Sequence, residues 1–176
     1  PSNNRANLLQ NLRKLFSIMN EGDLIPNITL RSVDSDGIQN FNLVENFQNK
    51  KVLVICVPGA FTSTCHNQHL PPYVKNCEIL MNEKGIDLIC CITTNDPFVL
   101  DLWRKELGQP KIKFLSDGNQ EFLQKSDLIR NHEKSFMGNR LIRSIIMIDN
   151  LKVIKLVLDD PGQLDKTSYE SIVKTI

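Results

Sequence analysis

Lys51-Val-Leu-Val-Ile-Cys-Val57 runs directly into Pro58-Gly-Ala-Phe-Thr62-Ser-Thr-Cys65, and this junction decides the fold. The run from Val52 to Val57 has no polar interruption, which is the pattern of a central strand covered on both faces. Beyond it the periodicity turns helical. Leu70, Tyr73, Val74, Cys77, Leu80 and Met81 share one face of a helix predicted from Ser63 or Thr64 to Lys84. Gly85 is its stop, and Pro71 and Pro72 are expected to kink it. A buried strand that passes into a helix places Cys65 in the helix's first turn. Backbone N–H groups and the positive end of the dipole gather there. A cysteine reacts as its thiolate, and such settings bring a thiol pKa from ~8.5 to roughly 3.5–7.5.

Working outward, strands and helices alternate. Asn27 to Arg31 and Gly37 to Leu43, joined by Asp34-Ser-Asp-Gly37, are predicted as short strands forming a hairpin or edge. Ile86 to Thr93 gives a second buried strand, after which Asn95-Asp-Pro97 caps a helix running to Leu107-Gly108. Lys113 to Leu115 is a third strand, followed by a helix from about Gln120 to Lys125. Arg143 to Ile148 and Lys152 to Leu158 form a hairpin around Asp149-Asn150. Gln163 to Ile176 is predicted as a closing helix with Leu164, Ile172 and Val173 inward. Alternating elements followed by a β-hairpin and a helix imply an α/β protein, a three-layer α/β/α domain with a mixed central sheet. A thioredoxin-like core satisfies that order. Trp103 and Phe98 are expected to pack their helix on the sheet.

Composition narrows the function classes. The chain has 176 residues, 41% of them hydrophobic, enough to bury a core without disulfide or metal staples. With 21 basic and 20 acidic residues the formal net charge is +1, so no basic field argues for a nucleic-acid partner. No apolar run approaches the ~18–20 residues of a membrane span. The five cysteines are odd in number and irregular in spacing, which points to a reducing intracellular compartment rather than a disulfide framework. Residues 1–20 read as an extension to a single domain of residues 21–176. From Asn3 to Asn20 there are Arg5, Arg13 and Lys14 but no acid. Leu8, Leu12, Leu15, Phe16 and Met19 fall at helical spacing. This basic amphipathic segment is expected to be either a targeting remnant for a plastid or mitochondrion, or a helix packed on the domain. The chain opens at Pro1 rather than Met, so material upstream is expected.

Around Cys65 the residue types suit thiol chemistry. Thr62 lies on the same loop and offers a hydroxyl that can donate and accept. Pro58 fixes the backbone where the strand ends and removes one donor. A thiolate wants a fixed cation, and Arg140 and Arg143 both precede the apolar run Ser144 to Ile148; spacing alone does not choose between them. His66, His69 and Cys77 raise a metal site, but the compact paired spacing of a structural zinc site is absent. His69 could act as base to Cys65 four residues away, against the simpler reading of a packing and hydrogen-bonding residue beneath the loop. Cys90 and Cys91 are neighbours on one strand and must face opposite sides of the sheet. With Cys56 and Cys77 they read as small core hydrophobes.

The segment Pro58-Gly-Ala-Phe-Thr62-Ser-Thr-Cys65 with His69-Leu-Pro71 resembles the active-site signature of the peroxiredoxins, specifically the type-II or peroxiredoxin-5 subfamily. Asn95-Asp-Pro-Phe-Val99, Trp103, Leu115-Ser-Asp117 and Gly138-Asn-Arg140-Leu-Ile-Arg143 fall where that subfamily has its later motifs. Similarity therefore runs from about Glu21 to the C-terminus. The resemblance implies that Pro58, Thr62 and Cys65 are the functional members of Pro-x-x-x-Thr-x-x-Cys, and it selects Arg143 over Arg140 as their distant partner. It implies a thiol-dependent peroxidase without metal or organic cofactor. Hydrogen peroxide or an alkyl hydroperoxide would oxidise Cys65 to a sulfenic acid, in a homodimer whose loops flanking the active site meet across the interface.

Ser63, His66 and Pro72 depart from the signature, where many members have Pro, a small polar residue and Gly. More consequential is the second thiol. Members of the subfamily that use two cysteines carry the resolving one in the C-terminal stretch, which here reads Leu164-Asp-Lys-Thr-Ser-Tyr169, or on the strand of Cys90-Cys91. Cys91 matches the latter but is expected to be buried. A one-Cys mechanism follows as the expectation, with glutathione and glutaredoxin, or thioredoxin, as reductant, as in the antioxidant-protein branch. Three alternatives stand beside it. A two-Cys cycle through Cys91 is one. A thiol-disulfide oxidoreductase would need Cys where Thr62 stands. A non-catalytic redox sensor would need neither Thr62 nor Arg143.

Overall fold

The computed structural model describes residues 18–176. The reading of residues 1–17 as a targeting or packing segment lies outside them. Met19, just inside, is buried, and its N–H donates to the Ser126 carbonyl.

Strand β3, Lys51–Cys56, is the centre from which the rest is laid out. It pairs in parallel with β4, Leu88–Thr93, and antiparallel with β8, Ser144–Asp149. Beyond β4 come β5, Lys113–Ser116, parallel to it, then β1, Thr29–Asp34, and β2, Gly37–Asn42, both antiparallel. Beyond β8 lies β9, Lys152–Leu158, so the seven-stranded mixed sheet runs β2-β1-β5-β4-β3-β8-β9. The hairpin β8–β9 turns at Asn150 and Leu151, one residue later than the sequence pattern places it. Both have positive φ, 44° and 73°, the twist that tight hairpins favour.

Alternation along β3 divides the core. Val52, Val54 and Cys56 join one buried cluster, while Leu53, Ile55 and Val57 join the other. Cys90 and Cys91 separate in the same way, one to each side of the sheet. The first face is covered by α1, Leu43–Phe47, through Leu43 and Phe47, and by α5, Glu121–Ser126, through Phe122 and Leu123. The second is covered by α2, Leu70–Lys75, α3, Cys77–Glu83, and α4, Pro97–Glu106, through Leu70, Tyr73, Leu80 and Trp103. This is the thioredoxin-like three-layer arrangement. Each fully buried Val, Leu or Ile contributes about 1.5–3 kcal/mol relative to exposure, and β3 places such residues on both of its faces.

Three expectations need correction. The helix after Cys65 is not simply kinked at its prolines. Cys65–His69 form a π turn, closed by the Leu70 N–H on the Cys65 carbonyl, which widens the ladder just where Pro71 and Pro72 supply no donor. The break falls later, at Asn76, whose φ of −110° and ψ of 14° separate α2 from α3. The closing helix shrinks to α6, Tyr169–Val173, with Ile172 buried and Leu164 and Val173 only half-buried. Its predicted start is pre-empted because the Asp159 carboxylate takes the N–H groups of Asp165 and Lys166. Phe98 does not pack on the sheet: it is 75% exposed, whereas Trp103 is buried as expected.

Two elements carry no strong sequence signal. One is α1. The other is a two-stranded antiparallel ribbon of β6, Ile129–Asn131, and β7, Asn139–Leu141, beside the main sheet. Asp96, by contrast, caps α4 as its motif predicts, accepting from the N–H groups of Phe98 and Val99 at 2.9 and 3.0 Å. No helix among the described residues is long and apolar enough to cross a membrane.

Candidate active site

Cys65 is 0% exposed, at the start of the π turn. Arg143, just before β8, reaches it from the other side of the chain. Its Nη2 lies 3.4 Å from Cys65 Sγ and its Nη1 2.9 Å from His69 Nδ1. The Arg143 side chain is buried, at 8% exposure, and among the described residues no carboxylate lies within ion-pairing distance of it. A buried guanidinium without a counter-ion is costly. The group placed to receive its charge is the sulfur.

His69 sets the guanidinium's position. Since Arg143 can only donate, Nδ1 must be the bare nitrogen, and Nε2–H donates to the Thr167 carbonyl at 3.1 Å. The same carbonyl accepts from Tyr73 Oη at 2.7 Å. Thr167 Oγ1 in turn donates to Asp159 Oδ2 at 2.5 Å, and the Asp159 N–H donates to the Arg143 carbonyl at 3.1 Å. Arg143 is thus braced at its backbone and at its tip by one loop, residues 159–167. Burial, and then repulsion from Arg143, hold His69 far below its ordinary range, at about 3. It cannot serve as a base to Cys65. This positioning role is not visible along the sequence, because Thr167 and Arg143 come from distant segments.

That shift has a sign for stability. Below its ordinary value of 6.5 the unfolded chain protonates at His69 while the native chain does not, so stability falls as pH drops from 6.5 toward 3. At about pH 5 the loss from His69 alone is about 2 kcal/mol. Urea denaturation should show wild type and His69→Asn converging in stability as pH falls from about 7.5 to about 5; parallel curves would contradict a neutral buried imidazole.

The loop before Cys65 is held from several directions. Thr62 Oγ1 donates to the Gly59 carbonyl at 2.8 Å, and no hydrogen bond joins it to the sulfur. Its proton being committed, the hydroxyl oxygen is left as an acceptor. Asn95 Oδ1 takes the Ala60 N–H at 2.8 Å. Arg140 does not approach the thiol: its Nη1 donates to the Pro58 carbonyl at 3.1 Å and its Nε to the Met137 carbonyl at 2.8 Å. Gly59 suits that close approach, since a Cβ would come within 3.1 Å of Arg140 Nη1 and of the Thr62 methyl and one of them would have to shift. Structure therefore brings together Cys65 and Arg143, with Thr62 and Pro58 on the loop above them, and assigns Arg140 to the loop itself.

His66 points away from the thiol and accepts from Trp103 Nε1 at 2.9 Å, with Phe61 stacked on it at 5.6 Å. Among the described residues no three or more His, Cys, Asp or Glu side chains are grouped so as to hold a metal ion. Cys56, Cys77, Cys90 and Cys91 are all buried. Burial raises the Cys91 thiol well above its ordinary value and Cys56 to about 12. A cavity of about 270 Å³ opens over Pro58, Thr62 and Arg143.

A single buried cysteine faced by a fixed guanidinium on a thioredoxin-like scaffold defines a thiol-based oxidoreductase. The Redoxin family model matches residues 20–173. Peroxiredoxin-2D of Arabidopsis thaliana is 35% identical over 157 residues, spanning 88% of this chain and 96% of that protein. Among solved structures, reduced Prx3 of Vibrio vulnificus in complex with hydrogen peroxide superposes with a TM-score of 0.84 at 32% identity, covering 90% of this chain and 99% of that one. The antioxidant protein of Plasmodium falciparum, a 1-Cys peroxiredoxin, gives 0.84 at 30% identity, covering 89% and 98%. The chain belongs to the peroxiredoxin family, in its type-II, peroxiredoxin-5-like branch, and is a thiol peroxidase.

Proposed function

We propose that residues 21–176 act as one peroxidase domain in which Cys65 is the peroxidatic nucleophile and Arg143, Thr62 and Pro58 complete the site. The observation that carries this reading is the buried, otherwise unpaired Arg143 guanidinium at 3.4 Å from Cys65 Sγ. The Cys65 thiolate attacks the terminal oxygen of a hydroperoxide. The O–O bond breaks, the leaving oxygen takes a proton, and water or an alcohol departs while sulfur becomes a sulfenic acid. Thr62 Oγ1 accepts from the hydroperoxide O–H, and Arg143 stabilises the charge that spreads over sulfur and oxygen in the transition state. Hydrogen peroxide and small alkyl hydroperoxides suit so enclosed a sulfur. Consumption of hydrogen peroxide with glutathione and glutaredoxin tests the activity; no turnover with any thiol would sink it.

Recycling is read as one-Cys, by an external thiol. That thiol attacks the sulfenic sulfur and releases water, leaving a mixed disulfide on Cys65; a second thiol then frees Cys65 and leaves as a disulfide. Glutathione with glutaredoxin is the reductant proposed. Two things support this. No cysteine follows Cys91 in the chain, and Cys91 is fully buried with its thiol pushed strongly toward the protonated form, a poor attacker. The Plasmodium relative described as 1-Cys is consistent with it. Because Cys65 is also enclosed, the turn from Ser63 to His69 must open for the mixed disulfide to form. Cys91→Ser is expected to leave turnover with glutathione within about twofold of wild type. Loss of turnover with the first oxidation intact would show that Cys91 resolves Cys65 after all.

A homodimer is part of the same proposal. Phe98 and Leu102 stand one turn apart on α4, 75% and 61% exposed, and Phe61, 44% exposed, lies over Trp103 of the same helix. An apolar surface beside the active-site loop fits the interface that the type-II resemblance implies.

A further inference from the structure

The cavity over Thr62 and Arg143 continues to the β6–β7 ribbon, where its lining is lopsided in charge. Ser63, Arg130, His132 and Ser135 complete that end. Arg130 Nη2 donates to the Asp159 carbonyl at 3.3 Å. Among the described residues no carboxylate comes within ion-pairing distance of Arg130, Arg140 or Arg143. Residues 1–17 contain no Asp or Glu to supply one. His132 stands in the combined field of these three arginines. Burial first, and then Arg130, Arg140 and Arg143, hold its imidazole below the ordinary range. Its Nε2 is enclosed and has no hydrogen-bond partner among the described residues. The cavity's one acid, Asp160, is largely exposed and lies 3.6 Å from Lys166 Nζ.

Guanidinium forks and hydroxyls around a space of about 270 Å³ make a receptor for a planar anion. Hydrogen peroxide has no group to fill it. We propose that the Arg130–His132 end of this cavity binds the carboxylate of a substrate while its peroxide or thiol group engages Cys65. The enzyme then prefers carboxylate-bearing organic hydroperoxides, or a carboxylate-bearing thiol reductant, over neutral ones. Arg130 supplies the charge and a fork of donors, with His132 beside it on the cavity wall. This rests on the peroxidase reading given above and adds to it a substrate class.

The test pairs acids with their neutral esters. A medium-chain hydroperoxy acid is compared with its methyl ester under dithiothreitol, and glutathione with its diethyl ester under hydrogen peroxide. In at least one pair the acid should exceed the ester in kcat/KM by about tenfold, the scale of a charge-assisted contact. That pair names the source of the carboxylate. Arg130→Leu should bring the ratio close to one, Arg130→Lys should keep part of it, and raised salt should shrink it in the wild type. Should Arg130→Leu fold poorly, the wild-type ratio and its salt dependence decide alone. Ratios near one in both pairs, or a ratio that Arg130→Leu and salt leave untouched, would overturn the inference while hydrogen peroxide turnover still upheld the peroxidase. Absence of hydrogen peroxide turnover would overturn both.

Discussion

Cys65→Ser is expected to abolish hydroperoxide consumption, leaving the rate of buffer and free reductant. The hydroxyl that replaces the thiol sits in the same turn and faces the same guanidinium, but serine is not ionised there and oxygen cannot be oxidised by peroxide as sulfur is. The other four cysteines are all buried, and among them Cys56 and Cys91 are pushed toward the protonated thiol. None is placed to substitute. The check is the loss of hydroperoxide in a coupled glutathione assay beside a native far-UV spectrum. A folded Cys65→Ser protein that retained turnover would remove Cys65 from the chemistry.

The second large effect is at Arg143. Replacing it by Gln keeps a donor near His69 but removes the charge that lies 3.4 Å from the sulfur. Losing one pre-organised donor to a developing anion costs about 100- to 1,000-fold, and the oxidation step measured by rapid mixing with hydrogen peroxide should slow by that amount. Arg140→Gln should lose much less, because Arg140 holds the Pro58 carbonyl and not the thiol. Equal losses would mean that the two arginines act as a unit and that the division between site and loop is wrong. A fall confined to stability, with the oxidation rate of the folded fraction unchanged, would reduce Arg143 to a structural residue.

Much of this could be read along the chain, and the reasons are specific. The unbroken run into Val57 reports burial on both faces because nothing polar interrupts it, and the turn to helical spacing after Thr62 marks where the thiol stands. The cap at Asp96 and the strand pair around Asn150 are local events and are legible as such. What escaped depends on distant partners. The Asp159 carboxylate captures the N–H groups of Asp165 and Lys166 and so forbids the helix that the local pattern favours. Phe98 reads as core until the orientation of α4 leaves it outside. The ribbon β6–β7 is built from two strands of three residues each, too short for a periodic signal. His69 reads along the chain either as a base or as a packing and hydrogen-bonding residue beneath the loop, and the structure supports the second. Only the approach of Arg143 and Thr167 shows which groups it bonds, and so that it orients a guanidinium.

The choice between Arg140 and Arg143 has the same character. Both precede the same strand, and spacing leaves them equivalent. Their side chains diverge because β7, Asn139–Leu141, pairs with β6 and carries Arg140 toward Pro58, while Arg143 lies just ahead of β8, which pairs with β3. Cys56 on β3 sits opposite Ser144, so the residue before Ser144 emerges beside the end of β3, where the chain turns toward Cys65. The register of the central sheet, more than any local motif, puts the cation at the thiol.

The central claim, a lone reacting thiol recycled by an external one, is tested most directly by intact mass. The reduced protein would be weighed after one equivalent of hydrogen peroxide and again after glutathione. The account predicts the gain of one oxygen atom, carried by Cys65, followed by its replacement with a single glutathionyl group on the same residue. Loss of two hydrogens after peroxide, with Cys65 joined to Cys91 in the digest, would contradict it.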